Sequence, residues 1–142
     1  MPQHESPEFD GRTPAEKEEF DLMLGSITDL YLTAMVLILL DMTYMGRFWT
    51  LLEAFFSLMR ATAEGVRAAT DLERRCTIKC IHNAKQQFEQ PKLIDLVATK
   101  TPQEMHDILA SPDVCVTNAK DKETMLPVVS KTNEHVKEMM RP

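Results

Sequence analysis

The sequence predicts an α/β protein in three layers: a short parallel sheet of about three strands flanked by helices. Three observations carry this expectation. After a first helix, the hydrophobic pattern reads strand–helix, strand–helix–helix, strand–helix. Helices long enough to act as crossovers thus separate the strands, as parallel pairing requires. The first strand lies in an apolar run that does not alternate, the pattern of a strand buried on both faces. Finally, four glycines and eight prolines in 142 residues are too few for a turn-dense β-sandwich.

Residues 1–11 (MPQHESPEFDG) are polar and proline-punctuated, and are expected to form a flexible segment ahead of a single domain over 12–142. Thr13-Pro14-Ala15-Glu16 spells a helix start, with Thr as N-cap, Pro at the first helical position and Glu three residues after the cap. Gly25 is placed to end that helix after about Leu24. The first strand is Ala34–Leu40, and a turn over 41–46 leads into the strongest helix, Arg47 to about Thr62. At 100° per residue, Phe48, Leu51, Leu52, Phe55, Leu58 and Met59 share one apolar arc. Trp49 and Phe56 lie at its edge, and Glu53, Ser57 and Arg60 fall on the polar side. A polar stretch, Ala63–Arg74, returns the chain to a second strand, Cys76–Ile81. Helices follow at Gln86–Ala98 and Thr101–Leu109, the latter opening with the same signal, Thr101-Pro102-Gln103-Glu104. A third strand, Val114–Thr117, precedes a final helix over Ala119–Met140 that Pro127 kinks or breaks.

Cys80–Lys85 and Cys115–Lys120 share the form C-[IV]-x-N-A-K, but their flanks do not match, so this is no repeat architecture. Asn83 and Asn118 are each expected to cap the helix that follows. The net charge of −6 speaks against a nucleic-acid surface, which needs clustered Lys and Arg. Three cysteines, an odd number, argue against a disulfide framework and favour a reducing, cytoplasmic setting. The opening residues hold no apolar run, so no secretory signal is read there. Leu30–Leu40 is apolar apart from Thr33, but a spanning helix needs about twenty such residues. Asp29 and Asp41 bound the run, so a small membrane-associated protein is only a second alternative and no membrane partner is expected.

In an open parallel sheet, ligands bind beyond the carboxyl ends of the strands. Those ends present Asp41 and Tyr44, His82 and Asn83, and Thr117 and Asn118; Asp41, Tyr44, His82, Asn83 and Asn118, with Trp49, are the candidate substrate contacts. Glu53 lies about two turns into the second helix, with Trp49 four residues before it and Phe56 three after. A carboxylate beside aromatic rings in a cleft has its charged form disfavoured and can act as an acid or base. The competing reading is a boundary carboxylate facing water. His82 as a general base competes with a histidine that only hydrogen-bonds locally. Cys76 and Cys80 on a strand stand about 13 Å apart, too far to share a zinc ion. No metal site and no resident cofactor is expected.

Val36–Glu53, VLILLDMTYMGRFWTLLE, resembles the third strand and following helix of Toll/interleukin-receptor (TIR) domains. Members that cleave NAD carry an apolar strand, a short turn with Tyr, then a Trp and, four residues later, a catalytic Glu. Here Tyr44 precedes Trp49 by five residues and Trp49 precedes Glu53 by four. The residue after the Trp, usually Cys in plant members, is Thr50. The chain also resembles proteins of unicellular algae and other protists that share a D-x-[ST]-Y-x-x-R-F-W-x-x-x-E-A element, over about Phe20 to Met140. The resemblance implies a TIR-like (flavodoxin-like) fold truncated at its N-terminal side, because the family has five strands and this chain supplies the last three. It implies NAD as a substrate cleaved at the nicotinamide ribose, with Glu53 as the catalytic carboxylate and Trp49 or Tyr44 shaping the pocket. Without the family's first strand, Ala34–Leu40 would be a long apolar edge that recruits other chains. Two functions are therefore expected to compete. One is an interaction module working by self-association or partner docking along Ala34–Leu40. The other is an NAD-cleaving enzyme using Glu53.

Overall fold

The computed structural model describes residues 11–142, so the flexible segment expected at the N-terminus lies, but for Gly11, outside the described residues. The fold is mixed α/β. Among the described residues six helices, α1 (Pro14–Thr33), α2 (Phe48–Ser57), α3 (Gln86–Val97), α4 (Pro102–Ala110), α5 (Ala119–Ser130) and α6 (Thr132–Met139), accompany two small sheets. The strands β1 (Val36–Leu40) and β4 (Cys76–Cys80) pair in parallel, Val36 opposite Cys76 through Leu40 opposite Cys80. The strands β2 (Met59–Thr62) and β3 (Gly65–Ala68) form an antiparallel hairpin.

The capping box at Thr13 forms as the sequence requires: Thr13 Oγ1 accepts the Glu16 N–H at 3.2 Å, and Glu16 Oε2 accepts the Thr13 N–H at 2.6 Å. The helix does not stop at Gly25, however, and runs on to Thr33. A mid-helix glycine costs about 1 kcal/mol relative to Ala. Burial of Thr28 and Leu32, with Ile27 and Tyr31 against the core, outweighs that cost.

β1 is a strand, but it is not buried on both faces. Ile38 and Leu40 are 2% and 0% exposed, whereas Leu37 and Leu39 are 62% and 50% exposed. Thr77 and Lys79 of β4 are exposed on the same side. Among the described residues helices therefore cover one face of this sheet, and the expected third layer is absent from the other. The expected third strand is also absent as such. Residues around Cys115 make one bridge to Arg47, with Cys115 N–H donating to Gly46 O and Phe48 N–H donating to Cys115 O, both at 2.8 Å. The segment lies against the β1–α2 connection rather than beside a strand, so the parallel sheet has two strands.

α2 is shorter than its periodicity suggests and buried almost all round, with seven of its ten residues inaccessible. Its expected last turn is instead β2. Leu58 and Met59 keep their places in the core, 1% exposed each, although the helix has ended. Arg60 then faces Arg67 across the hairpin, a like-charged pair that is unfavourable on its own. Glu73 reconciles them: Arg67 grips its two oxygens at 2.7 and 2.9 Å, and Arg60 Nε approaches at 2.9 Å. The turn closes at Gly65 with φ of 125°, a left-handed value that favours glycine. Val66 N–H donates to Asn133 Oδ1 of α6 at 2.9 Å, which docks the hairpin on the C-terminal helices.

Helix C-termini leave carbonyls unpaired and carry partial negative charge. Neither α1 nor α2 has a basic residue in its last turn. Arg75 supplies one for both. Its Nη1 donates to Tyr31 O and Ala34 O at 3.1 and 2.8 Å, and its Nη2 donates to Phe56 O and Met59 O at 3.3 and 2.8 Å. Burial pulls the Arg75 pKa downward, yet the guanidinium stays charged at any ordinary pH. The C-terminal helix breaks at Lys131, four residues beyond Pro127. Ser130 Oγ donates to the Pro127 carbonyl there, and Thr132 Oγ1 donates to Val128 O and Val129 O.

Candidate functional site

Apart from Trp49, the residues singled out by the sequence fall into three neighbourhoods. The first is the carboxyl rim of β1 and β4. Asp41 Oδ1 accepts from the Thr43 N–H at 3.0 Å and its hydroxyl at 2.9 Å, and Arg47 Nη2 stands 3.6 Å away. The Thr43 hydroxyl above all, with Arg47 and His82 contributing charge, holds the Asp41 carboxyl below its ordinary value. His82 is exposed and adopts φ of 54°, in the left-handed region. Asn83 is exposed beside it and does not cap α3, whose N-cap is Lys85 without a side-chain bond. Asn118 does cap α5, its Oδ1 accepting the Lys120 N–H at 3.1 Å.

The second neighbourhood lies between α1 and α2. Glu53 is half-buried, with the Tyr31 hydroxyl in its neighbourhood. Burial pushes the Glu53 carboxyl up, and the nearby Tyr31 hydroxyl moderates the rise. Tyr31 itself is pushed up by burial, then by the nearby Glu53 carboxyl. Tyr44 is buried and pushed up strongly, first by burial, then by Glu53 and Tyr31. Glu53 is thus a carboxyl whose charged form burial disfavours, near two phenols whose ionisation burial disfavours as well. Tyr31 was not visible as a partner while the first helix was expected to end at Leu24. Extending the helix would have exposed the stripe Phe20, Leu24, Ile27, Tyr31 at helical spacing. Trp49 belongs elsewhere. Its Nε1–H donates to Asp121 Oδ2 of α5 at 3.0 Å, and its ring meets Phe48 edge-on at 5.7 Å.

The third neighbourhood is the edge of the parallel sheet. Val36 N–H donates to Arg75 O at 2.9 Å and Ile81 N–H donates to Leu40 O at 3.0 Å. In a parallel ladder alternate residues face the partner, so Leu37 and Leu39 direct their N–H and C=O groups outward. No other described strand pairs there. The opposite edge is shielded: Gln86 Nε2 donates to Ile78 O and its Oε1 accepts the Cys80 N–H, both at 3.0 Å. One side-chain amide meets two backbone groups on the outer edge of β4, and among the described residues nothing does so on β1. Met35 and Met42, also exposed, flank the open strand.

A shallow cleft lies between α1 and α6, lined by Thr28, Leu32, Phe56 and Val136 and bridged by His135 Nε2 and Asp29 Oδ1 at 2.9 Å. It offers about 10 Å³, the space of a single water. Among the described residues no group of three or more His, Cys, Asp or Glu could hold a metal ion, and no helix is long and apolar enough to cross a membrane. No family model matches the chain, and neither the curated proteins nor the solved structures include a significant match.

Proposed function

We propose that this chain is a TIR-like interaction module that docks another polypeptide strand on the free edge of β1. The observation that carries the reading is the contrast between two edges of one sheet. Two outward groups of β4, Ile78 O and Cys80 N–H, are met by Gln86, while among the described residues those of the exposed Leu37 and Leu39 on β1 are left open. Natural proteins blunt such edges with charge, proline or cover, and β1 (VLILL) carries none of the first two. Strand addition uses this geometry, with main-chain bonds giving affinity and alternate side chains giving selectivity.

The test is amide exchange by NMR with a lysine-flanked synthetic peptide containing Val-Leu-Ile-Leu-Leu. The peptide should slow exchange at Leu37 and Leu39, and Leu39→Pro should abolish the effect by removing an outward N–H. Unchanged exchange at both amides refutes strand docking. A second reading, NAD cleavage at Glu53, is favoured by the raised, half-buried carboxyl beside Tyr31 and Tyr44. Nicotinamide release from NAD that disappears in Glu53→Gln would replace the docking reading with the enzymatic one.

A further inference from the structure

The open face beside the free edge of β1 carries a methionine as well as two leucines. Met35, Leu37 and Leu39 are 89%, 62% and 50% exposed, while Ile38 and Leu40 between and beyond them are closed. Val36 N–H and Leu40 O are both spent on the β4 side. By the period of two, Met35 therefore joins Leu37 and Leu39 on the open face and in the outward-facing series. A strand docked on the edge lies beside all three. Resting on the strand-docking reading, we propose that Met35 is an oxidation site at which a hydroperoxide switches that docking off.

The reaction is a two-electron oxygen transfer. A lone pair on the Met35 sulfur attacks one oxygen of hydrogen peroxide, so that an S–O bond forms and the O–O bond breaks. The displaced hydroxide takes the proton of the transferred oxygen and leaves as water. Sulfur is oxidised to the sulfoxide and the peroxide is reduced. Access decides which methionine reacts. Met59, Met105 and Met125 are 1%, 0% and 0% exposed, whereas Met35 is the most exposed methionine among the described residues. Position decides which oxidation matters. Met23 and Met42 are open too, but Met23 lies on α1 and Met42 in the turn beyond Asp41. Of these three, Met35 alone puts the new oxygen in the row of side chains beside the docking edge. In the free chain that oxygen is hydrated, and the fold loses nothing because Met35 stands outside the core. A docked strand strips the water away, and an unpaired polar group in an apolar contact is unfavourable.

The full chain is treated with hydrogen peroxide, then with a thiol, which reverses any disulfides among its three free cysteines and spares the sulfoxide. Peptide mapping by mass spectrometry should show Met35 gaining an oxygen before Met59, Met105 and Met125 do. The lysine-flanked Val-Leu-Ile-Leu-Leu peptide is next titrated into reduced and oxidised chains, with amide exchange at Leu37 and Leu39 as the readout. Oxidation should weaken the peptide by at least about tenfold, the size expected for burying one unpaired polar group. Methionine sulfoxide reductase should restore binding. Met35→Leu should dock the peptide equally well before and after peroxide, whereas Met42→Leu should still lose docking on oxidation. Met35→Gln should weaken docking without peroxide while leaving the circular dichroism unchanged. Docking that survives Met35 oxidation, or a loss on oxidation that persists in Met35→Leu, overturns the proposal and leaves strand docking standing. If the reduced chain itself never protects Leu37 and Leu39, strand docking fails first and the switch falls with it.

Discussion

Arg75→Ala tests how this fold holds two helix ends together. The side chain makes four hydrogen bonds to carbonyls, two on the α1 side and two on the α2 side. A hydrogen bond involving a charged group contributes about 1.5–3 kcal/mol, so four bonds left wholly unmet would cost roughly 6–12 kcal/mol. The site is only half-buried, and water admitted by the truncation recovers a large part of that. A net loss of about 3–5 kcal/mol is expected, comparable to removing one member of a buried charged pair. Against a total stability of about 5–15 kcal/mol this is a large fraction. At roughly 3 °C per kcal/mol for a chain of this size, the melting temperature should fall by about 10–15 °C. The urea midpoint should fall by about 2 M for a slope near 2 kcal/mol per M. Arg75→Lys should recover less than half, because one ammonium cannot span both helix ends. Arg75→Met keeps the packing of the stem and isolates the hydrogen-bonding share. If Arg75→Ala unfolds within about 0.5 kcal/mol of the parent, the guanidinium does not tie the two helix ends together.

The two glycines at special positions should respond in opposite directions to alanine. Gly25→Ala fills open space inside α1 and should stabilise by about 1 kcal/mol, whereas a loss would mean the helix ends there. Gly65→Ala forces φ of 125° on a residue with a Cβ, which would meet Asn133 Oδ1 at 2.5 Å, and should cost about 1–3 kcal/mol in urea titration. Asn118→Ala should cost about 1 kcal/mol through its lost cap, while Asn83→Ala should be silent; equal effects would deny the difference in capping. Acid titration separates two carboxyls of opposite sign. Glu73, drawn down to about 2 first by its bond from Arg67, lends stability that is complete above the ordinary 4.5 and is lost as pH falls through that window. Glu53 is raised, so its contribution is fully present below 4.5 and is lost as pH rises through its folded value. Glu53→Gln should therefore be the more stable protein near neutrality, with the gap closing on acidification, and a gap that widens instead would contradict burial as the cause.

Local signals were legible where one residue decides the outcome. Thr13 and Thr101 start their helices because an N-cap oxygen meets a donor three residues along, which needs no tertiary partner. The apolar run at β1 announced a strand correctly but not its burial. Continuity of apolar residues signals two covered faces only if enough other elements exist to cover them, and here Leu37 and Leu39 remain open. Gly25 misled in the opposite way, since a stop signal is a local preference of about 1 kcal/mol and the packing of Ile27, Tyr31 and Leu32 exceeds it. Arg75 and Gln86 could not have been foreseen, because each is defined by backbone groups from elements distant in sequence.

The spacing of Tyr44, Trp49 and Glu53 has the same limitation as evidence for a site. A separation of four residues on a helix fixes directions to within about 40°, but it does not fix what waits in those directions. Trp49 is drawn to Asp121 on α5, and Glu53 is drawn to Tyr31 on α1. Tyr44 alone joins Glu53 in a shared electrostatic neighbourhood, and Asp41 and His82 share a different one. A cleavage site would need the indole and the carboxyl to face one substrate, whereas the indole is engaged by Asp121 and the carboxyl lies beside Tyr31. The edge of β1 needs no rearrangement, because its donors and acceptors already point outward in register for another strand. That difference in reorganisation is the physical ground for ranking docking above catalysis.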